Sequence, residues 1–256
     1  MAQIVISDSH KIIENQVYTG DRSAWMPHPD GRPYHTFRTA TVLVDGEDVT
    51  FRNCTFRNTA GPRGQAGQAI ALYCDGDGLV FEHCRMEGYQ DTVFLAPLPP
   101  KEIEKDGFIG PKQFAPRTPR SVVFRDCYIS GSVDFVFGGA AALFERCEFR
   151  SRKEGFVFAP STPEGAKQGF VCRDCRFTAE PSVPDSSCFL GRPWRNFAQC
   201  TLEHCYIGPH IRREGWSDWG KADAHATLRF AETDSYGPGA DSAGRARFVT
   251  VAGRTQ

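Results

Sequence analysis

Six short stretches of the chain repeat one pattern: an apolar residue, two polar residues, a cysteine, any residue and a second apolar residue. The six copies are residues 51–56, 81–86, 124–129, 144–149, 172–177 and 202–207. Their cysteines, from Cys54 to Cys205, lie 30, 43, 20, 28 and 30 residues apart. A period in this range is typical of a solenoid, in which each coil buries its apolar face only against its neighbours.

The segments between the cysteines are short and rich in β-branched and aromatic residues, and they lack the periodicity of helices. Residues 4–6 and 40–44, ahead of the first copy, are strand-like, and residues 23–33 between them are irregular. We therefore predict an all-β fold, a right-handed parallel β-helix with loop insertions. No composition shift marks a domain boundary, so residues 1–256 are expected to form a single domain.

The longest interval in the repeat, from Cys84 to Cys127, predicts an insertion in that coil. Residues 96–105 are rich in proline and charge, which favours a solvated loop. The alternative is that this loop, which follows the Gln90-Asp91 pair closely, lines one side of a cleft.

Composition excludes several classes of function. The net charge is −1 with 24% charged residues, which gives no electrostatic reason to expect binding to nucleic acid or to an anionic membrane surface. No apolar run approaches the ~20 residues of a membrane span. The chain start, residues 1–8, lacks the basic and apolar regions of a signal peptide. The expectation is a cytoplasmic protein with reduced cysteines; the alternative is a secreted protein whose signal has been removed.

The ten cysteines are better explained by the repeat than by disulfides or a metal. Cys172 and Cys175 form a Cys-x-x-Cys pair, but no second pair at metal spacing accompanies it, and Cys175 belongs to the repeat. We predict small buried thiols stacked at equivalent positions of successive coils.

Polar residues occur within apolar, glycine-bounded frames at four places: Gln68, the Gln90-Asp91 pair, Asp134 and the Arg192-Pro193-Trp194 segment. Equivalent strands of a parallel β-helix stack about 4.8 Å apart, so these residues are predicted to converge on one outer face. A carboxyl group beside neutral donors suits acyl-transfer chemistry. Structural roles remain open: Gln68 as a cap of a strand edge, Asp134 with Arg192 as an ion pair, and Trp194 as packing.

The same segments resemble the signature motifs of the pectinesterases (pectin methylesterases). The motifs are residues 68–72, 88–93, 133–138 and 190–194, and the chain departs from the usual family forms only at Ile70, Val93 and Val136. Residues 58–62 and 237–239 also resemble the family, and the resemblance covers roughly residues 41–249. The family usually has an opening coil and an N-terminal helix before this point, and the sequence predicts neither. What closes that end of the solenoid is left open.

The resemblance implies a carboxylic ester hydrolase that removes methyl esters from galacturonate units. It implies that Asp134 is the nucleophile, that Asp91 is the general acid and then the base, and that Arg192 orients Asp134. It also implies that Gln68 and Gln90 stabilise the oxyanion. The groove would be lined by Trp194, Trp219, Tyr89 and Phe135.

The implied partner is methyl-esterified homogalacturonan or its oligosaccharides, bound by a monomer without a metal or cofactor. Three alternatives compete with this assignment. A polysaccharide lyase on the same scaffold would need a carboxylate cluster for calcium. An esterase or thioesterase acting on another ester would keep the aspartates without the aromatic groove. A non-catalytic carbohydrate-binding protein would need only the aromatic residues.

Overall fold

The computed structural model describes residues 3–61 and 66–252. Its strands, in chain order, are β1 (Ile4–Ile6), β2 (Ile12–Glu14), β3 (Val17–Gly20), β4 (Val42–Val44), β5 (Thr50–Arg52), β6 (Thr55–Asn58), β7 (Leu72–Cys74), β8 (Leu79–Glu82), β9 (Arg85–Glu87), β10 (Val93–Leu95), β11 (Ser121–Arg125), β12 (Tyr128–Gly131), β13 (Val136–Gly138), β14 (Ala141–Glu145), β15 (Glu148–Ser151), β16 (Phe156–Pro160), β17 (Phe170–Arg173), β18 (Arg176–Ala179), β19 (Phe189–Gly191), β20 (Gln199–Glu203), β21 (Tyr206–Ile207), β22 (Arg229–Thr233) and β23 (Val249–Ala252).

The first seven coils each contribute one strand to each of three parallel sheets, and β22 and β23 extend sheet 2 alone. Sheet 1 has the order β1-β4-β7-β10-β13-β16-β19, sheet 2 the order β2-β5-β8-β11-β14-β17-β20-β22-β23, and sheet 3 the order β3-β6-β9-β12-β15-β18-β21. The predicted parallel β-helix is therefore confirmed. Within the described residues the helical segments are short 3-10 turns at Thr36–Arg38, Ala222–Ala224 and Ser242–Gly244. In the same residues, no helix has the length and apolarity needed to cross a membrane.

The repeated pattern encodes the turn from sheet 2 to sheet 3. Its second polar residue has a left-handed backbone in every copy, with φ between 51° and 53°, as at Asn53 and Asp126. Asn, Asp and His adopt this conformation more readily than most residues, although Arg146 adopts it as well. The next residue is then the inward-facing cysteine, which is buried in all six copies.

The cysteines stack as predicted. The backbone N–H of Cys54 donates to the Sγ of Cys84 at 3.4 Å, and the N–H of Cys84 donates to the Sγ of Cys127 at 3.4 Å. All ten cysteines are buried and free of disulfides. Beside them, the rings of Phe51, Phe81 and Phe124 stack with centroids 5.0 and 4.8 Å apart, so that sulfur and aromatic ladders fill the interior together.

The start of the chain differs from the expectation. Residues 4–20 do form an opening coil: β1, β2 and β3 pair in parallel with β4, β5 and β6. Sequence reasoning missed this coil because Gln16 occupies the position that cysteine takes in the six copies. No α-helix occurs in the described residues ahead of it. Met1 and Ala2 of the chain start, and Pro62 of one family-like segment, lie outside the described residues.

The insertion is longer than predicted and runs from residue 96 to residue 120, between β10 and β11. It covers the outer face of sheet 1, where Leu98 and Phe108 join a second apolar cluster that includes Phe94 and Phe137. Lys112 of the insertion forms ion pairs of 2.7 and 3.2 Å with two aspartates of the solenoid, Asp45 and Asp75. These contacts hold the insertion beside the polar residues singled out from the sequence.

Candidate active site

A cavity of about 800 Å³ opens on the outer side of sheet 1. Its lining includes seven of the nine predicted site residues: Gln68, Gln90, Asp91, Asp134, Arg192, Trp194 and Trp219. Four insertion residues also line it, among them Ile103 and Phe108. The loop therefore borders a cleft, which was the alternative to a solvated loop.

Asp91 and Asp134 occupy the same place in adjacent coils, two residues before β10 and β13. These two strands pair with Val93 opposite Val136, and the N–H of Asp91 donates to the carbonyl of Val133 at 3.0 Å. Both aspartates have left-handed backbones, with φ of 60° and 48°. The change of chain direction at these residues places both carboxyl groups in the cavity.

Arg192 holds Asp134 through two hydrogen bonds. The Nε of Arg192 donates to Oδ1 of Asp134 at 2.9 Å, and Nη2 donates to Oδ2 at 2.6 Å. The guanidinium packs against two aromatic rings, 4.0 Å from the centroid of Phe156 and 3.6 Å from that of Trp219. A planar cation packed against two rings and bonded through both arms of its fork gives its partner carboxylate a single orientation.

The two aspartates differ in their ease of ionisation. Burial raises the pKa of Asp91 well above its usual value, and the neighbouring charge of Asp134 raises it further. Burial also raises the pKa of Asp134, but the hydrogen bonds and charge of Arg192 oppose that rise. We conclude that Asp134 is the carboxylate of the pair and that Asp91 retains its proton more strongly.

Gln68 and Gln90 lie side by side because the N–H of Ala69 donates to the carbonyl of Gln90 at 3.1 Å. Within the described chain, no hydrogen bond engages either side-chain amide. Both amides are therefore available to donate to an atom placed in the cavity beside Asp134.

The predicted aromatic residues divide into three groups. Trp194 and Trp219 line the cavity, and Trp194 is supported by Phe137 with 5.7 Å between ring centroids. The assignment of Phe135 to the groove is wrong: the ring is fully buried in the solenoid core, because the bend at Asp134 directs the following side chain inward. Tyr89 lies beside the cavity rather than in its lining, with its ring 4.1 Å from the guanidinium carbon of Arg152.

Sequence reasoning missed several residues of the site. Phe137, two positions after the misassigned Phe135, lines the cavity, and strand alternation was a signal for it. Arg195 and Lys221 also line the cavity and follow closely on the predicted Trp194 and Trp219. No sequence motif marked Phe156, because only the stacking of coils brings it beneath Arg192.

The described residues contain no group of three or more His, Cys, Asp or Glu side chains arranged to hold a metal ion. The permanent cation beside the two aspartates is Arg192, which is hydrogen-bonded to Asp134.

The fold and the site define a β-helix protein with two neighbouring aspartates in an open cleft, one of which is held by an arginine. The chain belongs to the pectinesterase family, whose profile matches residues 14–97 and 117–255. The internal unmatched segment, residues 98–116, lies within the insertion.

Among curated proteins, the chain is 36% identical over 211 residues to Pectinesterase 31 of Arabidopsis thaliana, covering 82% of this chain and 58% of that protein. It is 32% identical over 245 residues to Pectinesterase 2 of Citrus sinensis, covering 92% of this chain and 42% of that protein. The chain thus spans about half the length of these curated relatives.

Among solved structures, the chain resembles the pectin methylesterase from carrot with a TM-score of 0.75 and 25% identity, covering 98% of this chain and 77% of that chain. This likeness identifies the fold as a right-handed parallel β-helix.

Proposed function

We propose that this protein hydrolyses methyl esters of galacturonate units in pectin or pectic oligosaccharides, releasing methanol and a free carboxylate. The observation that supports this most directly is the bidentate hold of Arg192 on Asp134, with the more proton-retaining Asp91 in the adjacent coil. Membership of the pectinesterase family supports the same reaction.

In the first half of the reaction, a carboxylate oxygen of Asp134 attacks the ester carbonyl carbon, and the carbonyl electron pair moves to its oxygen. The amides of Gln68 and Gln90 donate to this oxyanion; losing one such donor typically costs about 10²–10³ in rate. The tetrahedral adduct collapses as the bond to the methoxy oxygen breaks and Asp91 transfers its proton to that oxygen. Methanol leaves, and the sugar acid is joined to Asp134 as a mixed anhydride.

In the second half, ionised Asp91 takes a proton from water as the water oxygen attacks the carbonyl carbon of the anhydride. Collapse of this second adduct breaks its bond to Asp134, restores the Asp134 carboxylate and leaves the sugar acid. Asp91 has regained a proton, so both side chains return to their starting states.

The substrate class follows from the surroundings of the pair. Trp194 presents an indole ring to the cavity beside Asp134, and aromatic faces suit the apolar faces of sugar rings. Trp219 is less available for stacking, since the guanidinium of Arg192 lies 3.6 Å from its ring centroid and the ammonium of Lys221 lies 4.3 Å from it. We therefore assign ring stacking chiefly to Trp194, and we propose methylated homogalacturonan or its oligosaccharides as the ligand.

The test is methanol release from methylated pectin compared with hydrolysis of a small aryl ester. We expect one methanol for each new carboxyl group and little hydrolysis of the aryl ester, which lacks the sugar rings that Trp194 is proposed to bind. Faster hydrolysis of the aryl ester would instead assign the aspartates to another ester. Binding of pectin without release of methanol would indicate a carbohydrate-binding protein.

A further inference from the structure

Two cations other than Arg192 line the cavity beside the aspartates, and both are held by backbone carbonyl groups. The Nζ of Lys221 donates to the carbonyl of Pro193 at 2.9 Å. The Nη2 of Arg195 donates to the carbonyl of Lys101, in the insertion, at 2.8 Å. Their positions are therefore set by the fold rather than by contact with an acidic side chain.

In the described part of the chain, neither Lys221 nor Arg195 forms an ion pair with a carboxylate. Two nearby carboxylates are engaged elsewhere: Asp134 bonds Arg192, and Asp218 lies 3.0 Å from the Nε2 of His225. Glu104 of the insertion lines the same cavity without bonding either cation. These two cations thus differ from the arginines of sheet 2, which alternate with glutamates and form ion pairs with them. One example is Arg52 with Glu82, at 2.9 Å.

Lys221 and Arg195 also lie in surroundings that disfavour their positive charges. Burial lowers the pKa of Arg195 and of Lys221, and the nearby charges of Arg192 and Arg195 lower that of Lys221 further, while Asp134 and Asp218 act in the opposite direction. Like charges gathered in a partly desolvated cleft without an acidic partner form a ready site for an anion.

We propose that Lys221 and Arg195 form a subsite for a free carboxylate of the bound sugar chain, on a unit other than the one whose ester reacts. The ligand class follows from the proposed function, on which this inference rests, because a partly de-esterified galacturonan carries both methyl esters and carboxylates. A planar guanidinium and an ammonium suit a carboxylate by charge-assisted hydrogen bonds.

The insertion contributes to this subsite. Lys101, whose carbonyl accepts the hydrogen bond from Arg195, lies within residues 98–116, which the family profile does not match. Without this segment, Arg195 would lose the contact that places it over the cleft, 5.2 Å from the ring centroid of Trp194.

The first test measures binding and requires no turnover. The probe is fully de-esterified trigalacturonate, titrated into the wild type and into Lys221→Gln and Arg195→Gln by calorimetry. We expect each substitution to raise Kd about tenfold, the loss of one charge-assisted hydrogen bond. Lys167→Gln, at an exposed lysine outside the cavity lining, serves as the matched control and should bind like the wild type. Equal Kd values in all four proteins would overturn the subsite.

The second test compares kcat/KM for fully methylated trigalacturonate with that for the same sugar carrying one free carboxylate. The wild type should prefer the partly de-esterified sugar, Lys221→Gln should reduce the preference, and Lys221→Glu should reverse it. An equal loss on both substrates would instead assign Lys221 to the aspartate pair and contradict the proposal. If no methanol is released from either sugar, the proposed function fails, while the trigalacturonate titration still decides the subsite.

Discussion

At the residue scale, the site depends on a left-handed backbone conformation that occurs at both of its aspartates. Asp91 and Asp134 each adopt a left-handed conformation just before a strand of sheet 1, and each thereby presents its carboxyl group outside the solenoid. Their different environments then separate their roles, because only Asp134 is hydrogen-bonded by Arg192. Arg192 thus gives Asp91 and Asp134 different proton affinities, although the two aspartates occupy equivalent turns.

The raised pKa of Asp91 predicts a pH-dependent cost to stability. The folded pKa lies above the unfolded value, so the stabilisation from protonated Asp91 is complete below the unfolded pKa, near 3.9. It is lost as pH rises through the folded pKa. Asp91→Asn removes this loss, and we expect its Tm to exceed that of the wild type by an amount that grows from pH 4 to pH 8. Each unit of elevation corresponds to about 1.4 kcal/mol, or a few degrees of Tm.

Calorimetry at a series of pH values checks this, with Asp126→Asn as the control. Asp126 is bonded by Arg146, which lowers its pKa, so its contribution has the opposite sign and is lost as pH falls. A Tm difference between Asp91→Asn and the wild type that does not vary with pH would contradict the assignment of Asp91 as the proton-retaining member.

At the scale of elements, the insertion at residues 96–120 converts an exposed sheet face into one side of a cleft. Phe108 is its main apolar contact, with ring centroids 5.9 Å from Phe37 and 6.3 Å from Trp194. The insertion therefore supports the aromatic residue to which we assign sugar stacking.

Phe108→Ala should loosen this support. We expect a loss of about 3–5 kcal/mol in the free energy of unfolding, typical of a buried phenylalanine. We also expect a several-fold rise in KM with a smaller change in kcat, because Trp194 loses its neighbour while the aspartates keep theirs. Denaturant unfolding and steady-state kinetics on methylated oligogalacturonides measure the two effects.

Phe114→Ala is the matched control, since this phenylalanine of the same insertion is 92% exposed. Similar losses of stability or of substrate affinity in the two variants would contradict the role given to Phe108.

Elements were predictable where local pattern decides them. The cysteine repeat predicted the coils and the stacked buried thiols, because the structure shows that a left-handed residue followed by an inward-facing cysteine is a local property of each copy. The direction of Phe135 was not predictable from alternation alone, because the strained backbone at Asp134 interrupts it. The end of the insertion was not predictable either, because residues 106–120 are held by contacts between residues that are distant in sequence, such as Lys112 and Asp45.

At the scale of the whole molecule, stacking of coils produces long-range order from short strands. Along sheet 2, register places Arg52 against Glu82, Glu82 against Arg125 and Arg125 against Glu145, so that opposite charges alternate from coil to coil. A slip by one coil would set like charges side by side, and the ladder therefore favours one register. The sequence contained this signal, but only the register shows which residues meet.

The buried, unpaired cysteines of the interior lead to a prediction about the number of thiols that react. We expect titration of the denatured, unreduced protein to find ten reactive thiols, and titration of the native protein to find almost none, because all ten cysteines are buried. Freshly prepared protein kept under inert gas excludes oxidation on storage. Disulfides in the fresh protein would contradict the sulfur ladder.

The same stacking of coils brings the site residues together. The sequence alone therefore predicted only some of them. Gln68, Asp91, Asp134 and Arg192 were predicted to converge because the coil period makes distant residues lateral neighbours. Lys221 and Arg195 were not singled out, because their distinction is the lack of an acidic partner, which becomes visible only once every neighbouring carboxylate has been placed.

The measurement that tests the account most directly is methanol release from methylated pectin by Asp134→Asn beside Asp126→Asn. Both aspartates have left-handed backbones, and both form two hydrogen bonds with one arginine, but Asp126 lies in the turn between sheets 2 and 3, outside the cavity lining. We predict that Asp134→Asn remains folded and loses turnover by at least about 10³-fold, as expected for removal of a nucleophile. Asp126→Asn should retain it. Methanol release by folded Asp134→Asn within about tenfold of the wild type would show that Asp134 is not the nucleophile.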